Sequence, residues 1–413
     1  MIYELKPMVY TGPEAFEVEG YNGDMSSWES LGVWQKKLLA GRDILSPSKI
    51  HKINELVKDE KEDIDKVKKI YEHLQATTRY VSIQLGIGGW QPFEASVVEK
   101  SGYGDCKALT NYTMAMLKAI GIKSHYALVR AQSNAKPILA DFPSSQFNHV
   151  FLCVPLQKDT VWLECTSQQN PFGFLGDFTS DRHVLLITEQ GGKLVKTPTY
   201  KQDQNLQVRN AIVNLQVDGN AIVQVNTNYS GLQFSQVDNQ LERTVDDQRS
   251  WLYSSIDIGS FEIQNFKYNI HKTENPQLQE ELNLIVKNCA SVSGKRIFIT
   301  PNLMNRISLY SSIKPEERKT EVVTKFAFHD IDTIVYHLPS GYFPESFPEA
   351  TSIQSVFGDY TTTYISEENK IIYIREIKMN KGRFPASSYI DYMNFRKEIS
   401  KADKAKLVLI NKT

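Results

Sequence analysis

The sequence is poor in cysteine and has neither an excess of one charge nor a long apolar run. Its 413 residues include 4 Cys, which lie far apart and form no Cys-x-x-Cys pair. This pattern argues against a zinc site and against a dense disulfide framework. Lys and Arg number 47 and Asp and Glu 48, so the net charge of -1 argues against a surface that binds nucleic acid.

Segments typical of membrane, nucleotide and metal binding are missing as well. No stretch approaches the roughly 18 consecutive apolar residues of a membrane span, so we expect no membrane insertion. The first residues, MIYELKPMVY, lack the layout of a signal peptide, and we expect the chain as given to be soluble. The glycines at 86–89 lack the spacing of a nucleotide loop, and no acidic run has calcium-loop spacing. We therefore expect no cofactor and no metal, while compartment and oligomeric state stay open.

The length and composition are those of a globular protein with two or three domains. Residues 1–45 are polar and irregular around one short helix, and we interpret them as an N-terminal extension or the remnant of an upstream domain. Residues 46–199 alternate helix and strand signals. Residues 200–314 and 315–413 are almost wholly β in pattern, with one helix-like interruption at 234–256, and form two β units or one composite sandwich.

The segment 46–199 predicts helices packed on an antiparallel sheet, which is an α+β fold. Ser46 and Pro47 open one helix, and a second helix begins after Asp105 and ends before Gly121. The predicted strands are 124–131, 149–156, 160–167 and 183–188.

Cys106 lies in the first turn of the helix that Asp105 caps. The free N–H groups and the dipole of a helix N-terminus favour a thiolate, which is the reactive form of cysteine. The same N–H groups can bind an oxyanion, so this position suits a nucleophile. Cys153, Cys165 and Cys289 lie in apolar strand-like segments and are interpreted as packing residues.

A thiol nucleophile needs a base, and His149 at the start of a predicted strand is the best-placed candidate. Glu164 on the next predicted strand could lie beside His149 in an antiparallel pair and orient its ring. The other histidines of 46–199 lack this strand and loop signature: His51, His73, His125 and His183.

Several short segments between about 60 and 188 carry a resemblance to a known family. They are Arg79-Tyr80, Gly89-Trp90-Gln91-Pro92, Tyr103-Gly104-Asp105-Cys106-Lys107, Gly121-Ile122, Phe147-Asn148-His149 and Trp162-Leu163-Glu164-Cys165-Thr166. They resemble the transglutaminase-like superfamily with its papain-like core, and more closely its bacterial multidomain branch, in which the core lies between β-rich domains. Residues 1–45 are similar to the tail of the upstream β-rich domain, and 383–400 to the end of the downstream one.

The resemblance implies Cys106 as nucleophile, His149 as base and Glu164 as third member, where the family more often has Asp. It also implies that Trp90 or Gln91 contributes to the oxyanion hole and substrate cleft. The implied activity is acyl transfer on a peptide or carboxamide of a protein substrate, as a protease or amidase or as a transglutaminase. The resemblance is compatible with the periplasm or cell envelope.

The residues leave two interpretations of different classes open. One is a cysteine enzyme that forms a thioester and passes the acyl group to water or to an amine. The other is a papain-like core that has lost catalysis and acts as a scaffold binding protein or glycan. The second interpretation is motivated by Glu164, which stands where the family more often has Asp. Its additional methylene must be accommodated beside the His149 ring.

Overall fold

The computed structural model describes residues 8–133, 135–309 and 318–412. These residues divide into two compact units. The N-terminal unit comprises residues 8–199 together with 272–274, and the β-rich unit comprises the other described residues from 200 onwards. The boundary predicted at Lys314-Pro315-Glu316-Glu317 lies outside the described residues.

The N-terminal unit alternates helices and short strands. Its elements are β1 (Ala15–Val18), β2 (Tyr21–Asp24), α1 (Trp28–Leu39), α2 (Pro47–Val57), α3 (Asp63–Thr77), β3 (Arg79–Tyr80), α4 (Ala95–Ser101), β4 (Tyr103–Gly104), α5 (Cys106–Ala119), β5 (His125–Val129), β6 (His149–Pro155), β7 (Thr160–Leu163), α6 (Gly176–Thr179), β8 (His183–Thr188) and β9 (Gly191–Lys196). A short 3-10 turn covers Gly86–Gly89.

The predicted start and end of α5 agree with the structure. The Asp105 side chain accepts a hydrogen bond from the Ala108 N–H at 2.9 Å, which satisfies one of the free donors of the first turn. Gly121 follows the helix with φ +76°, a left-handed conformation that glycine adopts without strain. The apolar face of α5 packs with α2, α3 and the inner face of β6 and β7 in one core.

The sheet of the N-terminal unit has the strand order β7-β6-β5-β8-β9, and every neighbouring pair is antiparallel. The face away from α5 packs in a separate apolar cluster that includes Phe151, Trp162 and Val184. Helices on an antiparallel sheet confirm the α+β class predicted from the sequence.

The segment before residue 45 packs on this same unit. Leu31, Trp34 and Leu38 of α1 are buried and belong to one apolar cluster with Cys106. A Cβ on Gly32 would lie 1.9 Å from the Gly192 nitrogen, so the helix approaches β9 more closely than a side chain permits.

The β-rich unit is built from long strands with two helices. Its elements are β10 (Leu206–Leu215), β11 (Ala221–Ser230), α7 (Val245–Ser255), β12 (Phe261–His271), β13 (Gln277–Val286), β14 (Ala290–Ser293), β15 (Arg296–Ile299), β16 (Val322–Thr324), β17 (Phe328–His337), β18 (Tyr342–Ser346), β19 (Thr351–Ser355), β20 (Gly358–Glu367), β21 (Lys370–Met379), β22 (Gly382–Phe384), α8 (Tyr389–Asp403) and β23 (Leu407–Asn411).

Two sheets form the body of the β-rich unit. Among the described residues the larger sheet has eight strands in the order β12-β13-β11-β10-β17-β21-β20-β19, and the smaller has four in the order β14-β15-β23-β18. All neighbouring pairs are antiparallel except β10 and β17, which run parallel. Residues of both sheets share one apolar core, which confirms the sandwich-like region predicted from the alternating pattern.

The prediction of almost wholly β structure beyond residue 200 was wrong for α8. The stretch is rich in aromatic and polar residues, and its local pattern is not strongly helical. The helix is held by the packing of Tyr389, Phe395 and Ile399 against residues of the larger sheet. The buried Asp403 carboxylate at its end also accepts a hydrogen bond from Arg375. No helix in the described ranges is long and apolar enough to cross a membrane.

Candidate active site

Cys106 is the first residue of α5 and is 4% exposed. Asp105 caps the helix in front of it, and the Lys107 ammonium behind it pairs with the Asp105 carboxylate. Both charged side chains are buried, so the ion pair fixes the chain on either side of the thiol. The sequence predicted the position of Cys106 and its cap, but the Lys107 partner became visible only in the structure.

His149 and Glu164 are brought into direct contact, as the sequence predicted. The His149 Nε2 atom lies 2.9 Å from Glu164 Oε1 and 3.0 Å from Oε2. Because Nε2 faces the carboxylate, Nδ1 is the ring nitrogen left for the thiol of Cys106, which interacts with the same ring. The Phe178 ring stands edge-on to the imidazole at a centroid distance of 5.2 Å.

The register of β6 and β7 explains why glutamate reaches the ring. Leu152 pairs with Leu163, and extending this pairing by three residues would place Thr166 opposite His149. Glu164 therefore lies two residues away from the direct partner position, just after β7 ends. The Thr166 hydroxyl donates to Glu164 Oε1 at 2.6 Å, and its backbone N–H donates to the same oxygen at 3.3 Å.

The electrostatics of the pair favour a charged imidazolium. Burial lowers the pKa of His149, but the Glu164 carboxylate and the interactions with Cys106 outweigh it and raise the pKa to about 10. Burial raises the pKa of Glu164. The charge of His149 and the hydrogen bonds from Thr166 lower it by more, so the pKa of Glu164 lies below its ordinary value. A proton on His149 is thus favoured by the Glu164 carboxylate on one side of the ring and by the Cys106 sulfur, so the ring is suited to take up the proton of the thiol.

The other cysteines have the properties of packing residues. Burial raises the pKa of Cys153 and of Cys165 to about 12 and that of Cys289 to about 11. Cys165 belongs to the apolar core beneath α5, and its thiol points to the Leu163 carbonyl at 3.6 Å. Neutral buried thiols are poor nucleophiles.

Trp90 and Gln91 follow the 3-10 turn and lie against the N-terminal segment. The buried Gln91 amide donates to the Tyr21 hydroxyl at 3.2 Å. The Trp90 ring is 36% exposed and packs edge-on to Trp34 at 5.6 Å. Trp34 in turn belongs to the apolar cluster that includes Cys106.

Two residues near the site were not singled out from the sequence. Thr166 was part of the family-like segment, but its bond to Glu164 depends on the turn after β7. Tyr126 on β5 is fully buried in the cluster that contains Cys106. The one available signal was a tyrosine at an inward position of an otherwise apolar strand. Within the described residues no group of three or more His, Cys, Asp or Glu is arranged to hold a metal ion.

Comparisons with known proteins bear on the fold of the chain. Residues 50–170 match the family model of the transglutaminase-like superfamily, and residues 295–409 match a domain of unknown function with a solved structure, DUF3858. A search of curated proteins found no match. A crystal structure of a candidate protease from Parabacteroides distasonis is similar to the chain, with a TM-score of 0.52 and 15% sequence identity.

The structural similarity covers 92% of this chain and 58% of the Parabacteroides protein, so this chain spans little more than half of that protein's length. At this identity the similarity shows the fold. The N-terminal unit therefore carries a transglutaminase-like core of papain-like fold, which confirms the resemblance inferred from the sequence. The large region that follows it is β-rich, as predicted.

Proposed function

We propose that the chain is a cysteine-dependent acyl-transfer enzyme with Cys106 as nucleophile, His149 as base and acid, and Glu164 as the group that orients the imidazole. The observation that supports it best is the buried His149–Glu164 pair beside a cysteine at a helix N-terminus. A thiolate, a base and an orienting acid are the parts that nucleophilic catalysis by cysteine requires.

The reaction follows from these roles. The Cys106 sulfur, after its proton has moved to His149, attacks the carbonyl carbon of an amide and forms a tetrahedral oxyanion. The C–N bond then breaks while the imidazolium donates its proton to the departing amine, which leaves a thioester on Cys106. Water or a second amine attacks the thioester with His149 as base, and the sulfur regains its proton.

The acceptor decides between hydrolysis and transamidation. Cys106 and the His149–Glu164 pair are nearly buried, so little water reaches the thiol in this structure. The name of the Parabacteroides relative favours a protease, and we propose peptide hydrolysis as the main reaction.

The proposal is tested first without a substrate. Cys106 should react with iodoacetamide at pH 7 faster than a free thiol, as measured by peptide-resolved mass spectrometry, and His149→Ala should remove the excess rate. Cys165 in the same sample serves as the internal reference, since its neutral buried thiol should react slowly. A Cys106 rate at or below that of free cysteine, unchanged in His149→Ala, would refute the mechanism and favour a binding scaffold.

Turnover is then measured on glutamine-containing peptides with and without a fluorescent primary amine. Cys106→Ala should abolish both cleavage and ammonia release, while Cys153→Ala should retain them. Incorporation of the amine in place of hydrolysis would identify the transamidating alternative.

A further inference from the structure

Phe178 places a partly exposed aromatic ring directly beside the proposed catalytic histidine. The residue is 41% exposed, and its ring centroid lies 5.2 Å from that of the His149 imidazole, at an interplanar angle of 67°. The His149 side chain itself is only 10% exposed. Isolated apolar side chains on a protein surface are common and need no explanation. Phe178 differs from them because its ring packs on a group that the proposed mechanism uses.

The backbone around Phe178 is anchored, so the exposed ring is held in place. The Phe178 carbonyl accepts a hydrogen bond from the Gln132 N–H at 3.0 Å, and the Asp177 carbonyl accepts one from Arg182 Nη2 at 2.8 Å. The next residue, Thr179, is fully buried. An anchored turn of helix that leaves a large apolar side chain in contact with water forgoes the free energy of burying it. The ring therefore offers apolar area to a molecule that binds from outside.

The geometry of the proposed reaction brings one part of the substrate to this ring. The imidazolium donates its proton to the departing amine, so that nitrogen must come within about 3 Å of the donating ring nitrogen. Nε2 of His149 faces Glu164, which leaves Nδ1 for this transfer. The side chain of the residue that contributes the departing nitrogen begins two bonds away, roughly 2.5 Å from it. This side chain is therefore within reach of the Phe178 ring, which packs on the same imidazole.

We propose that Phe178 forms a wall of the substrate cleft beside His149 and selects peptides with an aromatic or aliphatic side chain on the residue that follows the scissile bond. This inference rests on the proposed function and adds a specificity-determining residue and a substrate class to it. Aromatic rings with centroids about 4.5–7 Å apart attract each other beyond the area that they bury. An acidic side chain in the same place would lose water without gaining a partner, so peptides that carry one there should be poor substrates.

The test measures alkylation of Cys106 by iodoacetamide and by N-benzyl-iodoacetamide, which carries an aromatic ring on its amide nitrogen. The rate constant for the benzyl reagent is divided by that for iodoacetamide, and this ratio is normalised to the ratio for free cysteine. A change in the reactivity of the thiol itself cancels in the ratio, which therefore reports recognition of the ring. The wild type should prefer the benzyl reagent by roughly 3–10-fold. Phe178→Ala should lose this preference, and Phe178→Trp should keep it.

Phe347→Ala is the matched control, because Phe347 is 38% exposed and packs instead on the Tyr364 ring, at a centroid distance of 6.2 Å. Its ratio should equal that of the wild type. A wild-type ratio equal to that of free cysteine, which needs no variant, or an unchanged ratio in Phe178→Ala would overturn the role of Phe178. If wild-type Cys106 reacts with iodoacetamide no faster than a free thiol, the proposed function fails instead, so the two failures are distinguishable.

Discussion

Glu164 stands where the transglutaminase-like superfamily, which residues 50–170 match, more often has Asp, and the structure gives this difference a physical explanation. The residue lies after β7 and away from the direct cross-strand position of His149. The longer side chain reaches the ring with both oxygens and is held by the hydroxyl and N–H of Thr166. The additional methylene therefore does not separate the carboxylate from the imidazole.

At this scale we predict a change in pH dependence for Glu164→Gln. The substitution removes the negative charge that raises the pKa of His149 to about 10, so the alkaline limb of kcat/KM should move to lower pH. The value of kcat/KM at neutral pH should fall by about 10²-fold or more, because the ring loses its orienting group. Steady-state rates between pH 5 and 10 provide the measurement.

Stability should change with pH in a defined direction in the same variant. Because the pKa of His149 is raised, its protonated ring stabilises the folded protein fully below the ordinary pKa of 6.5, and this stabilisation is lost as pH rises towards 10. Because the pKa of Glu164 is lowered, its carboxylate stabilises the folded protein above the ordinary pKa of 4.5, and this stabilisation is lost as pH falls below that value. The stability difference between wild type and Glu164→Gln should be largest between these values, and an increase towards pH 10 would contradict the assignment.

Among the elements, α5 combines structural and chemical roles at its first turn. The helix is anchored by Asp105, which caps it and also neutralises the buried Lys107. The remaining turns bury an apolar face against α2, α3 and the sheet. The position of the thiol thus depends on a single carboxylate with two partners.

The prediction for this element concerns Asp105→Asn. Asparagine caps a helix as well as aspartate does, so the cap is retained while the Lys107 charge is left buried without its partner. An uncompensated buried charge of this kind costs about 3–5 kcal/mol. Urea unfolding should show this loss, and adding Lys107→Met should restore most of it. A near-native Asp105→Asn variant with no rescue by the second substitution would show that the pair contributes little.

For the molecule as a whole, the β-rich unit depends on a buried charge network that joins distant parts of the chain. Arg375 on β21 contacts Asp332 on β17 at 2.9 Å and Asp403 at the end of α8 at 3.1 Å. The Asp403 carboxylate also accepts a hydrogen bond from Tyr360 at 2.7 Å. All these side chains are buried, and the network fixes α8 on the larger sheet.

Arg375→Met should destabilise the β-rich unit by about 3–5 kcal/mol, because the buried Asp403 carboxylate loses its cation and the buried Asp332 keeps only Arg209, at 3.4 Å. Arg296→Met is the control, since Arg296 pairs with Glu345 at an exposed position and its loss should change stability far less. Scanning calorimetry of both variants checks the difference. Equal shifts would mean that burial of the network has no influence on its contribution.

Much of the N-terminal unit was predictable because its signals are local. The cap at Asp105, the apolar face of α5 and the stop at Gly121 depend on residues within one helix, and they placed Cys106 correctly. The alternating strands likewise predicted the sheet, whose side-chain period is a property of the strand itself. The sequence by itself therefore determined the fold class and the candidate nucleophile.

Tertiary structure alone decided the contacts that give these residues their properties. The turn after β7 brings Thr166 to Glu164, β5 places Tyr126 in the buried cluster that contains Cys106, and packing holds the aromatic stretch after Ser388 as α8. Each depends on burial and on register between segments far apart in the chain, which local periodicity does not encode. A buried charge or hydroxyl is stabilised by whichever group the fold places beside it.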